Sequence, residues 1–209
     1  MRFRYCGLCA RAGISAMLSY YLRPLSLDDI GLLPQFLYLA ILVPGRDTQP
    51  PFSILETDPE LLHYWQGFGS RPGDIGVVAL GSETESTPES ESAAESEEII
   101  GIAWGRLFPS SAPGFGYLDD DTPEVGLAVL PDWRGKGVGT ALLKALMNYY
   151  ASDKNAPNGV GYQRVSLSTA GSNVIAQKLY RRLGFEIVST DAEGDLKMVA
   201  NLRSSTPSA

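Results

Sequence analysis

The sequence predicts a mixed α/β fold, and three observations carry the prediction. Short β-rich runs bounded by turn-forming residues lie on both sides of the chain's middle. One long segment repeats its apolar residues at helical spacing, and a strand leads through a glycine-rich turn into that segment. Read in order, the elements run β-α-α-β-β-β-α-β-α-β-β, antiparallel hairpins first and a βαβα unit in the middle.

A first strand is expected at Tyr21-Leu22-Arg23, closed by Pro24. Ser26 then begins a helix with Asp28 and Asp29 in its first turn, where carboxylates complement the helix dipole, and Pro34 bends it. A second short helix opens at Asp58-Pro59-Glu60, an N-cap followed by proline at the first helical position. The runs 75–80 and 99–108 form two adjacent antiparallel strands. The segment 81–98 between them is nearly all Ser, Glu, Thr, Pro and Ala, too polar to offset the entropy of ordering, and is read as a disordered insertion.

Past the 109–123 loop a strand is expected at 125–130. In the helix that follows the glycine turn, Val138, Ala141, Leu142, Ala145, Leu146 and Tyr149 make one buried face. A strand at 164–168 leads into a helix at 173–183, which Gly184 ends in a left-handed conformation. The chain closes as a hairpin around Glu193-Gly194. Residues 1–20 are read as a flexible extension, 21–202 as the folded domain and 203–209 as a loose tail.

Composition narrows the function. With 24 Asp and Glu against 17 Lys and Arg, the formal charge is -7, which disfavours a nucleic-acid partner. No apolar run reaches the roughly 20 residues that cross a bilayer, so neither a membrane partner nor a membrane location is expected. Cys6, Cys9 and the single His63 cannot complete a four-ligand zinc site, and no metal is expected. Reduced cysteines fit a cytoplasmic protein.

The chemistry-bearing segment is Arg134-Gly135-Lys136-Gly137-Val138-Gly139-Thr140. Between a strand and a helix, its glycines expose successive backbone N–H groups where the helix dipole favours an anion, and Arg134 and Lys136 add positive charge. A pyrophosphate fits this geometry. A Walker loop does not, because the Gly-Lys pair is followed by Gly137 where Ser or Thr is needed. The dinucleotide fingerprint requires glycine where Thr140 stands.

Arg134-x-x-Gly137-x-Gly139 after a strand resembles the pyrophosphate motif of the GNAT N-acetyltransferase superfamily. The run from Asn173 through Ala176 and Tyr180 to Gly184-Phe185 resembles the second signature of that family. The resemblance covers roughly 21–202. It implies a mostly antiparallel twisted sheet with splayed central strands flanked by helices, and acetyl-CoA as co-substrate. It places the pantetheine arm against the backbone of Leu127, Ala128 and Val129, with Asn173 holding that arm or the phosphates and Tyr180 facing the thioester sulfur as general acid. The expected reaction moves the acetyl group of acetyl-CoA to a primary amine in a ternary complex. An amine of lysine type has a pKa near about 10.4 and must lose a proton, so Glu124, at the start of the strand, is the expected base, with Asp119, Asp120 and Asp121 as neighbouring carboxylates. A backbone N–H of Val129 is expected to stabilise the oxyanion. Those aspartates favour a cationic acceptor, bound by segments 32–70 and 109–124, whose identity the sequence does not specify. The resemblance also carries an expectation of a homodimer. The competing reading is a sensor module that binds acetyl-CoA without turning it over.

Overall fold

The structure, a computed structural model, describes residues 3–11, 14–42, 49–84, 97–152 and 160–202, with side chains from residue 19 on and not for 82–84. Eight strands form one sheet in the order β1-β2-β3-β4-β5-β6-β8-β7. They are β1 (Phe3–Arg11), β2 (Ile14–Pro24), β3 (Ile75–Thr84), β4 (Glu98–Arg106), β5 (Glu124–Val129), β6 (Arg164–Thr169), β7 (Glu186–Thr190) and β8 (Leu196–Asn201). Every pairing is antiparallel except that of β5 with β6. Among the described residues no helix is long and apolar enough to cross a membrane.

Helices cover both faces. On one face lie α1 (Leu33–Ile41), α2 (Ile54–Thr57) and α3 (Pro59–Trp65); on the other lie α4 (Val138–Ala151) and α5 (Val174–Arg182). Alternation along the strands divides the core accordingly. Ile102, Trp104 and Ala128 pack with Leu33, Phe36 and Leu61, whereas Ala103, Val125, Val129, Val165 and Leu167 pack with Leu142, Leu146 and Tyr180.

Local sequence explains most boundaries. Ser26 and Asp29 form a capping box over a 3-10 turn, Leu27–Leu32, and Arg23 clasps the same carboxylate. Pro34 does not bend a continuous helix; it stands in the first turn of α1, which follows that 3-10 segment, because a proline lacks the N–H that only a helix interior needs. Asp58 caps α3 by accepting the Glu60 N–H at 2.9 Å. Gly184 ends α5 at φ 88° and Gly194 turns the β7–β8 hairpin at φ 87°.

The sheet is larger than the sequence indicates. Most of the segment read as a flexible extension is the edge strand β1 and the first part of β2, paired in continuous register from Phe3↔Leu22 to Arg11↔Ile14. The segment read as an insertion also begins later than residue 81. Positions 81–84 continue β3 against β2, and Gly81 lets Trp133 lie flat on the strand: a Cβ there would stand 2.6 Å from the indole. The remainder of the insertion, 85–96, and the tail 203–209 lie outside the described residues.

Candidate active site

β5 and β6 share a single bridge, Glu124↔Ser166, beside which the Ser166 N–H donates to the Pro123 carbonyl at 2.9 Å. Beyond that point the strands separate. On its other edge β5 is fully paired with β4, and the Leu130 N–H donates to the Ile100 carbonyl. Backbone groups alternate direction along a strand, so the even-numbered residues of β5 face β4 and the odd-numbered ones face the gap. Leu127 and Val129 therefore present backbone groups to the splay. Ala128 directs its backbone at Ile102 and offers the gap none, unlike its sequence-predicted neighbours.

The glycine turn borders the open end of this gap. Gly135 and Gly137 have φ of 75° and 83°, a region that favours glycine; a Cβ at Gly135 would meet nothing within 4 Å and one at Gly137 only the Tyr20 hydroxyl, at 4.0 Å. Their requirement is conformational, not steric. Gly137 is the N-cap of α4 and supplies no side-chain cap, so the first N–H groups of α4, from Val138, Gly139 and Thr140, keep their orientation toward an incoming anion. Gly139 serves packing as well: a Cβ there would press on Leu179 at 3.3 Å and Leu127 at 3.4 Å. Arg134 folds back so that its Nε donates to the Val129 carbonyl at 2.9 Å, fastening the turn to the strand. Lys136 lies over the Trp133 ring, 5.1 Å from its centroid.

On α5, Asn173 is the N-cap; its Oδ1 accepts the Ala176 N–H at 3.2 Å, which gives this side chain a structural task beside the ligand role expected of it. One face of α5 carries Ala176 and Tyr180 into the core shared with α4 and β5. Tyr180 packs on Phe185 at 5.8 Å, and burial pushes its phenol up to about 12, so it holds its proton throughout the neutral range.

Glu124 sits at the closed end of the gap, buried on the α3 side of the sheet. Burial raises its carboxyl to about 7, against the opposing effects of the Tyr64 hydroxyl, the Gly116 N–H and the Lys197 ammonium. Oε1 accepts the Tyr64 hydroxyl at 2.7 Å, while Oε2 meets no donor with hydrogen-bond geometry. Tyr64 accepts in turn the Phe115 N–H at 2.7 Å and stacks on the Phe115 ring. Burial and the facing carboxylate raise the Tyr64 phenol well above its ordinary value.

The 109–123 loop is fixed over this end of the sheet. Lys197 donates to the Tyr117 carbonyl at 2.6 Å, and the Gly116 backbone lies against Leu167 and Ser168. The loop's aspartates are largely occupied: Asp119 accepts from Thr122 and pairs with Arg164, and Asp120 accepts the Ser110 N–H and the Tyr117 hydroxyl. Sequence reasoning missed Tyr64. It lies 60 residues from Glu124, next to the His63 that drew attention as the single histidine, and a tyrosine on a short helix carries no local mark of a long-range partner. An open groove of about 470 Å³ is lined by His63, Arg71 and Phe108 among others; Tyr64 packs on Phe108, and neither Tyr64 nor Glu124 borders the groove.

Comparison with known proteins bears on the fold and the family. An uncharacterised N-acetyltransferase of Methanocaldococcus jannaschii is 36% identical over 88 residues, 42% of this chain and 49% of its own length, so the match spans about half of that relative. An acetyltransferase of the GNAT family from Streptococcus pneumoniae superposes with a TM-score of 0.57 at 16% identity, covering 88% of this chain and 99% of that one. A phosphinothricin acetyltransferase from Sinorhizobium meliloti, solved in complex with acetyl-CoA, superposes with a TM-score of 0.53 at 21% identity over 90% and 91% of the two chains. The sequence model described as the acetyltransferase (GNAT) family matches residues 54–185, more than half of the chain, and the protein belongs to that family.

Proposed function

We propose that the protein is an acetyl-CoA-dependent N-acetyltransferase that moves the acetyl group directly to a primary amine in a ternary complex. The observation that carries this reading is one gap between β5 and β6 with an anion-binding helix terminus at its open end and a buried carboxylate poised near neutrality at its closed end. The residues at the open end fit a pyrophosphate: uncapped N–H groups, two glycines with positive φ and open space above them. Leu127 and Val129 would then hold the pantetheine arm by strand-like hydrogen bonds, with the Val129 N–H available to negative charge developing on the acyl oxygen.

Glu124 is the general base in this reading. A carboxyl at about 7 is half ionised near neutral pH and is a far better proton acceptor than an ordinary glutamate. Tyr180, protonated and buried in the core that α5 shares with α4 and β5, is the acid that returns a proton to the departing thiolate. The acceptor in this reading is a cationic amine, for which the ionised form of Glu124 is the counter-charge.

The test is calorimetric titration with acetyl-CoA of the parent protein and of Gly137→Glu, which puts bulk and negative charge into the turn, with thermal melts to confirm folding. Binding by the parent alone supports the reading. No binding by either folded protein overturns it, and binding without transfer to any amine in a broad screen points to a sensor instead.

A further inference from the structure

Among the described residues, two buried side-chain oxygens have no hydrogen-bond partner: Oε2 of Glu124 and Oγ of Ser166. They belong to the two residues that form the single bridge between β5 and β6. Side chains facing each other across a bridge stand on the same side of the sheet, about 5 Å apart by the spacing of strands. That side is the one covered by α3, since Val165 and Leu167, which flank Ser166, belong to the opposite core. Ser166 is 0% exposed, and its backbone N–H is already given to Pro123. The cover over the pair is backbone. A Cβ at Gly114 would collide with Oε2 of Glu124, and one at Gly116 would stand 2.6 Å from the Leu167 carbonyl carbon.

Leaving a buried polar atom unpartnered costs about 1–3 kcal/mol, more for a charged one, and two such atoms side by side would be a large liability for one strand junction. A buried water typically makes about three hydrogen bonds to groups of this kind. We propose that Ser166 is a positioning residue for Glu124: through one bound water its hydroxyl holds Oε2, completing on that oxygen what Tyr64 does on Oε1. The inference rests on Glu124 being the base only for its catalytic consequence; the water and its effect on the carboxyl do not depend on it. A donor on Oε2 favours the charged form, so Ser166 keeps the carboxylate available at lower pH than burial alone would allow.

The groups that face Glu124 from neighbouring elements are Tyr64 from α3, Lys197 from β8 and Arg106 from β4, the last paired with Asp74. The loop above contributes the Gly116 N–H, its Asp119 and Asp120 being engaged with Arg164, Ser110 and Tyr117. Substitution of Ser166 leaves all of these in place.

The experiment follows the Glu124 carboxyl by carbon-13 NMR across a pH titration of the full chain. Parent, Ser166→Ala, Ser166→Val and Ser166→Thr are compared, beside a crystal structure of the parent. Both variants without a hydroxyl are expected to titrate about one pH unit higher than the parent, Ser166→Thr to stay with the parent, and the density to show a water within hydrogen-bond reach of both oxygens. Should Ser166→Val not fold, Ser166→Ala carries the comparison. An unmoved midpoint in the folded variants, or density without that water, overturns the proposal. Full turnover by Glu124→Gln would instead overturn the assignment of the base and leave the titration result standing.

Discussion

Tyr64 donates its hydroxyl to Oε1 of Glu124 at 2.7 Å while accepting the backbone N–H of Phe115 at the same distance. One phenol thus ties helix α3, the first residue of β5 and the loop over the gap to a single point. Because the donated proton favours the charged carboxylate, the state of Glu124 depends on a residue remote in sequence.

Removing that donor should raise the Glu124 carboxyl further. In Tyr64→Phe the acid limb of log(kcat/KM) against pH is expected to move up by about one pH unit, with little change on the alkaline side. The ring and its stacking on Phe115 are retained, so a limb that stayed in place would show that the hydroxyl only anchors the loop.

With Glu124 as the base proposed above, kcat/KM of the parent should rise with pH through a midpoint near 7, because burial holds its carboxyl there. Glu124→Gln should abolish this limb and lower turnover by on the order of 10²-fold. A steady-state pH series with both proteins decides the matter.

The same burial carries a stability cost with a definite sign. Below pH 4.5 the carboxyl is protonated whether the chain is folded or not; between 4.5 and about 7 the unfolded chain ionises first, so stability falls as pH rises, and above about 7 the whole penalty applies. Glu124→Gln is therefore expected to be more stable than the parent at pH 8, by at most roughly 3 kcal/mol, and to differ little at pH 4.5. Urea melts at the two pH values measure the difference, and equal gains at both would contradict it.

Arg106 and Asp74 have side chains only 1% exposed, joined by Nε to Oδ1 at 2.7 Å and Nη2 to Oδ2 at 2.9 Å. Nη1 of Arg106 also donates to the carbonyls of His63 and Gln66, on either side of Tyr64. Arg106→Met strands a buried carboxylate and two carbonyls, and should destabilise the protein by about 3–5 kcal/mol. Replacing both partners with apolar residues should cost less than the single change, which chemical denaturation of the two variants can establish.

What the sequence made legible was whatever a local pattern encodes. The Asp58 cap, the left-handed Gly184 and the Gly194 hairpin turn are chain-neighbour effects and appear where expected. The buried face of α4 was nearly right: Val138, Leu142 and Leu146 are enclosed, but the deepest aromatic is Tyr150 instead of Tyr149. Tyr150 is drawn inward because its hydroxyl reaches the Gly73 carbonyl at 2.7 Å and Gly105 leaves space for the ring, neither of which helical periodicity can register. Strand β1 escaped notice because Arg4, Gly7, Ala10 and Arg11 interrupt its Phe3, Tyr5 and Leu8, and its strand character is seen in the pairing with β2. At the site, glycine spacing revealed the helix terminus, whereas the bond of Tyr64 with Glu124, the bridge of Glu124 with Ser166 and the pairing of Asp119 with Arg164 join residues 42 to 60 positions apart.

A sheet whose halves meet at one bridge has a pivot. Among the described residues the single bridge of Glu124 with Ser166 joins strands β1–β5 to strands β6, β8 and β7, so a spreading of the two halves would displace these two residues least. Displacement along a lever grows with distance from its fulcrum, so the ends near Val129 and Thr169 would move farther than the carboxylate. The base proposed for the reaction stands at the place in the gap where such a motion would be least.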